Sequence, residues 1–94
     1  MFEQSLQTKL ESTSQATSCQ VGDETVILDL ASGQYFALDG VGSAIWRHLQ
    51  TPCTFGALCD RLQEEYDVSP SRCRTEVSAL LEDLAQRGLV RLQA

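Results

Sequence analysis

Asp29-Leu30-Ala31-Ser32-Gly33-Gln34-Tyr35-Phe36-Ala37-Leu38-Asp39-Gly40-Val41-Gly42-Ser43-Ala44-Ile45-Trp46 carries a strand end, a turn, a second strand and a helix start in direct succession. Ala31-Ser32-Gly33 reads as a three-residue hairpin connection, with Gly33 placed for positive φ. Gln34–Leu38 then returns as a strand. Phe36 and Leu38 point to one face and Tyr35 and Ala37 to the other, because strand side chains alternate. Asp39 is an N-cap residue, since its carboxylate can accept an unpaired helix N–H. Val41, Ile45 and Leu49, with Trp46 beside them, form the apolar stripe of a helix of about ten residues. The stretch contains no nucleophile with a base and no paired carboxylates.

Upstream, Glu24–Leu30 holds Thr25, Val26, Ile27, Leu28 and Leu30, a composition that favours a strand. Gly22-Asp23 signals a turn, and Ala16–Val21 can pair across it. These strands make a small antiparallel meander. Residues 1–15 are polar, with Phe2, Leu6 and Leu10 four apart, and read as a flexible N-terminal arm ahead of a domain at 16–94. Downstream, Thr51-Pro52 ends the first helix. Thr54 caps the next, whose apolar face is Phe55, Leu58, Leu62 and Tyr66. Ser69-Pro70 opens a third helix, because proline at the first helical position loses nothing by lacking an N–H. Its core stripe is Cys73, Val77, Leu80 and Leu84. Gly88 closes it in a left-handed cap, with Leu89 folding back onto Leu84. Leu89–Leu92 continues as an extended tail. At about 100° per residue, Leu81 lies about 60° from the stripe's centre, on a flank shared with Arg74 and Ala85. That flank is either boundary packing or one wall of a groove. The fold class is α+β: a winged-helix-like arrangement of a three-stranded antiparallel sheet followed by three helices.

Composition removes several functions. The chain has 94 residues and a net charge of −6, so it forms one domain whose surface repels phosphate backbones and anionic lipid. No apolar run is long enough to span a membrane. The first residues lack the basic start and apolar core of a signal peptide, which makes the cytoplasm the expected compartment. Cys19, Cys53, Cys59 and Cys73 contain no close pair, and His48 is the single histidine, so no metal site is expected. No phosphate loop and no Cys, Ser or Lys nucleophile with a neighbouring His is present. The chain reads as a non-enzyme with no cofactor. Two binding readings stay open. A winged-helix regulator would need a basic recognition helix, but Arg72, Arg74 and Arg87 are balanced by Glu76, Glu82 and Asp83. A peptide-binding module would use an exposed sheet edge as a template for an added strand.

The pattern Leu28-Asp29-Leu30-x-x-Gly33-x-Tyr35-Phe36-x-Leu38-Asp39-x-Val41-Gly42-x-x-Ile45-Trp46 resembles the PqqD-like proteins, named for a pyrroloquinoline-quinone biosynthesis protein. Thr54 to Leu62, Tyr66, Val77 to Leu84 and Gly88-Leu89-Val90 extend the resemblance over roughly residues 16–92. It implies a recognition element for ribosomally made peptide natural products. Such a module binds the leader of a precursor peptide as an added strand and presents it to modifying enzymes, such as a leader protease or a cyclase. It implies a peptide-binding site of Gln34, Tyr35, Phe36, Ala37 and Leu38, with Cys73, Arg74, Val77 and Leu81 as the opposite wall. Arg74 would pair with an acidic leader residue. Quinone-cofactor members tend to carry Asn-Glu where this chain has Asp39-Gly40, so the resemblance leans to the free-standing leader-binding protein of lasso-peptide pathways. A peptide chaperone in quinone-cofactor biosynthesis is the alternative.

Overall fold

The computed structural model describes residues 6–93. In chain order it contains β1 (Lys9–Ser12), β2 (Ala16–Val21), β3 (Glu24–Asp29), β4 (Tyr35–Leu38), α1 (Gly40–His48), β5 (Cys53–Thr54), α2 (Phe55–Glu65), α3 (Pro70–Gln86) and β6 (Val90–Gln93). The expected meander is present as an antiparallel sheet in the order β2-β3-β4. Its turns use positive φ at Gly22 (63°) and Gly33 (75°), a region that side-chain-bearing residues rarely enter. The Gly33 N–H donates to the Asp29 carbonyl at 2.7 Å, and the Asp29 N–H donates to the Gln34 carbonyl at 2.9 Å. The connection between the strands is therefore the five residues 30–34, and β4 starts at Tyr35 rather than Gln34.

A second sheet, in the order β5-β1-β6, corrects the expectation of a flexible arm running to residue 15. Leu10 lies opposite Cys53 on one side and Leu92 on the other, and its side chain is 1% exposed. The strand is short and mostly polar because only Leu10 reaches the core, so no sequence period marks it. The extended tail supplies β6, which closes the sheet by backbone pairing from Lys9↔Gln93 to Ser12↔Val90. Phe2 and the rest of residues 1–5 lie outside the described residues.

The core gathers Ile27 from β3, Leu10 from β1, and the inward faces of all three helices, among them Ile45, Trp46, Phe55, Leu58, Leu62, Val77 and Leu84. Burying such side chains is the main stabilising term, at roughly 1.5–3 kcal/mol each. Trp46 is buried as packing, and its indole N–H is satisfied by Ser18 Oγ at 2.9 Å. The helix ends follow local chemistry. Thr54 Oγ1 accepts the Ala57 N–H, and Ser69 Oγ accepts the Arg72 N–H. Gly88, at φ 78°, lets the Leu89 N–H turn back to the Leu84 carbonyl at 3.0 Å. Asp39 occupies the N-cap of α1 but makes no side-chain capping bond. No helix of the described residues is long and apolar enough to cross a membrane.

The second sheet gives a direct test. Leu10→Ala should lower unfolding free energy by about 2–5 kcal/mol in urea denaturation, the usual cost of truncating a buried leucine. A residue on a mobile arm would change nothing.

Candidate functional site

β4 is an edge strand: it pairs with β3 and with nothing else among the described residues. The bond from the Asp29 N–H to the Gln34 carbonyl fixes the phase of the ladder. In an antiparallel pair, hydrogen-bonded and non-hydrogen-bonded positions alternate. Given the register Ile27↔Phe36 and Thr25↔Leu38, Phe36 and Leu38 turn their backbone groups toward β3. Tyr35 and Ala37, opposite Leu28 and Val26, turn theirs outward. Four main-chain groups, two N–H and two C=O, thus face away from the sheet at alternate residues. That is the pattern an added strand needs.

The side chains follow the same alternation. Tyr35 stands on the outer face of the sheet and is 71% exposed, with Ala37 beside it. Phe36 and Leu38 are half-buried and lean toward the helices. The Arg87 guanidinium lies over the Phe36 ring, 4.4 Å from its centroid. Its Nε also bonds the Asp83 carboxylate at 3.3 Å. At the other end of β4, a Cβ placed on Gly42 would meet Leu38 at 3.6 Å and Leu80 at 4.0 Å. Leu38, Leu80 and the bare α-carbon of Gly42 therefore converge. The wall facing β4 is the edge of α3 that carries Leu80 and Arg87, and Glu76 and Asp83 share it by helical spacing.

The α3 half of the expected site is corrected. Cys73, Val77 and Leu81 are 3%, 0% and 0% exposed, so they are core residues with no surface to offer a ligand. The buried stripe is Cys73, Val77, Leu81 and Leu84, while Leu80 is only half-buried. Leu80 and Leu81 fit the helical period about equally well, and periodicity alone does not separate adjacent leucines. The apolar flank at Ala85 lines a shallow depression with Glu82, Gln86 and Leu92 of β6, on the side of α3 toward the β5-β1-β6 sheet. Arg74 is exposed on the side toward α2, where its charge acts on the Cys59 thiol. Arg87, set aside in sequence as one charge of a neutral helix, is the basic residue at β4. Its place just before the Gly88 cap was the available signal.

Burial makes Cys53, Cys59 and Cys73 poor nucleophiles. Burial pushes Cys59 up to about 12, with the adjacent Cys73 adding to the shift. Burial also raises Cys73 and Cys53. Cys73 Sγ donates weakly to the Cys59 carbonyl at 3.8 Å, as a small buried residue would. Asp29 behaves oppositely. A hydrogen bond from Gln15, then one from Ser32, holds its carboxyl below the ordinary value, with the Ala31 N–H as a further donor.

The model of the PqqD family, coenzyme PQQ synthesis protein D, matches residues 24–90, which run from the first residue of β3 to the first of β6. No curated protein matches the chain. Among solved structures, the chain is similar to TbiB1 in complex with the TbiA(beta) leader peptide. The two share 31% identity over 86% of this chain and 94% of that one, with a TM-score of 0.81. It is also similar to a lasso peptide synthetase B1 complexed with the leader peptide, at 22% identity, 87% and 96% coverage and a TM-score of 0.76, a likeness of fold.

Two predictions follow from the burial pattern and the Asp29 bonds. Leu81→Asp should abolish cooperative unfolding seen by circular dichroism, because a charge would enter the core unpaired, whereas Leu80→Asp should keep the fold. For Asp29, a depressed folded pKa contributes stability that is present above about pH 4, the unfolded value, and lost as pH falls below it. Unfolding free energy should therefore drop more steeply between pH 4 and 2 in the native chain than in Asp29→Asn.

Proposed function

The chain belongs to the PqqD family, and we propose that it is a non-catalytic module that binds the leader of a ribosomally made precursor peptide as a strand added to β4. The observation that carries this reading is the outward main chain of Tyr35 and Ala37, beside a wall of Phe36, Leu38, Leu80 and Arg87. The added strand gains hydrogen bonds from the first set. Its alternate side chains then meet either the apolar wall or the outer face around Tyr35. This is strand addition, in which main-chain bonds give affinity and pockets give selectivity. TbiB1, 31% identical, is a protein bound to a leader peptide, which supports the same ligand class here.

We infer a lasso-peptide pathway rather than quinone-cofactor synthesis from Asp39-Gly40, where quinone-cofactor members tend to carry Asn-Glu, with delivery to a separate leader protease or cyclase in the cytoplasm as the downstream step. A duplex-binding role has little support. α3 carries Arg72 and Arg74 against Glu76, Glu82 and Asp83, and Arg72 is already paired to Glu76 at 3.0 Å. The net charge of −6 opposes a phosphate backbone.

Ala37→Pro isolates the edge. It removes an outward N–H but no bond to β3, and edge strands tolerate proline. The variant should fold and bind a leader about fivefold more weakly, the scale of one lost main-chain bond. Calorimetry with the TbiA(beta) leader peptide, and with the leader of any precursor encoded beside this chain, measures it. Unaltered affinity, or no binding of either peptide to the native protein, counts against the proposal.

A further inference from the structure

The segment between β1 and β2 grips both sides of the β4–α3 groove. Toward α3, the Thr13 hydroxyl donates to the Gly88 carbonyl at 2.7 Å, and the Thr13 N–H donates to the Leu89 carbonyl at 3.0 Å. Toward the hairpin, the Leu30 N–H donates to the Gln15 carbonyl at 2.8 Å. The Gln15 side chain spans the two. Its Nε2 donates to Asp29 Oδ1 at 2.9 Å and to the Arg87 carbonyl at 3.1 Å. Both protons of the amide nitrogen are thereby used. The amide lies against Gly88, where a Cβ would sit 3.1 Å from Nε2. A side chain there would push the amide aside by a few tenths of an ångström, and the φ of 78° that ends α3 is itself one that favours glycine.

The consequence concerns the groove. Asp29 is the last residue of β3 and directs its N–H to the Gln34 carbonyl at the root of β4. Arg87 is the C-cap of α3, and its guanidinium covers Phe36. A bond from Gln15 to each therefore fixes the distance from the β4 root to the end of α3, and with it the place of Arg87 over the strand. Gln15 lies outside the stretch that the family model matches. Building on the leader-binding reading, we propose that Gln15 is a positioning residue for the peptide groove: it clamps the C-terminal end of α3 to the root of β4 and so sets where Arg87 meets the incoming strand.

Ser32 provides the control. Its hydroxyl donates to the same carboxylate, Asp29 Oδ2, at 2.9 Å but reaches nothing on α3. The experiment compares Gln15→Ala, Gln15→Met and Ser32→Ala. Calorimetry uses the TbiA(beta) leader peptide, and NMR follows the cross-relaxation between the Arg87 side chain and the Phe36 ring in the free protein. Gln15→Met keeps the side-chain volume without the donors, which covers the case in which the alanine variant does not fold. Both Gln15 variants should lose the Arg87–Phe36 signal and bind about tenfold more weakly, within the range for a residue that acts on a site without touching the ligand. Ser32→Ala should keep the signal and bind within about twofold of the native protein. If the Gln15 variants only melt earlier and keep both signal and affinity, or if Ser32→Ala loses them equally, the clamp is refuted. If the native protein binds no leader, the leader reading fails instead, and the NMR comparison still decides the clamp.

Discussion

The Asp29 carboxylate accepts hydrogen bonds from Gln15, Ser32 and the Ala31 backbone, while its own N–H and C=O close the β3–β4 turn. Much of the remaining geometry depends on this arrangement. The turn bonds set the ladder phase, and the phase decides which residues of β4 face outward. The Gln15 bond carries the constraint to α3. These donors favour the ionised carboxylate, so its charge is fully satisfied only while Gln15, Ser32 and Ala31 stay in place. The hairpin, the N-terminal segment and the end of α3 are therefore ordered together.

The two edges of the β2-β3-β4 sheet differ in what lies beside their free backbone groups. Both β2 and β4 are edges of the same sheet. β2 is exposed at five of its six residues, so a strand added there would gain main-chain bonds but little burial. β4 has half-buried Phe36 and Leu38, with Leu80 and Arg87 alongside. Main-chain bonds net only about 1 kcal/mol each, because water competes for the same groups. Selective capture needs the wall as well as the edge, and of these two edges β4 has both.

Much of this was legible in the sequence. Gly33, Pro70, Gly88 and the threonine and serine caps each act within a few residues, and each stands where expected. The alternation of Tyr35 to Leu38 was legible for the same reason. What was not legible depends on distant partners. β1 carries one core side chain, Leu10, and owes its strand form to β5 and β6, which lie more than forty and nearly eighty residues downstream. The inward rotation of α3 is fixed by what packs on it, so adjacent Leu80 and Leu81 exchanged places and the groove wall moved to the opposite flank. Arg87 and Gln15 meet across seventy-two residues, a contact that no local period reports.

Amide hydrogen exchange, followed residue by residue by NMR with and without a bound leader peptide, tests the central claim most directly. A strand added to β4 must slow the exchange of the Tyr35 and Ala37 amides, whose N–H groups face outward in the free protein. The Phe36 amide, already bonded to β3, should change little, and those of β2 not at all. Protection along β2, or binding that leaves Tyr35 and Ala37 exchanging as before, would contradict the account.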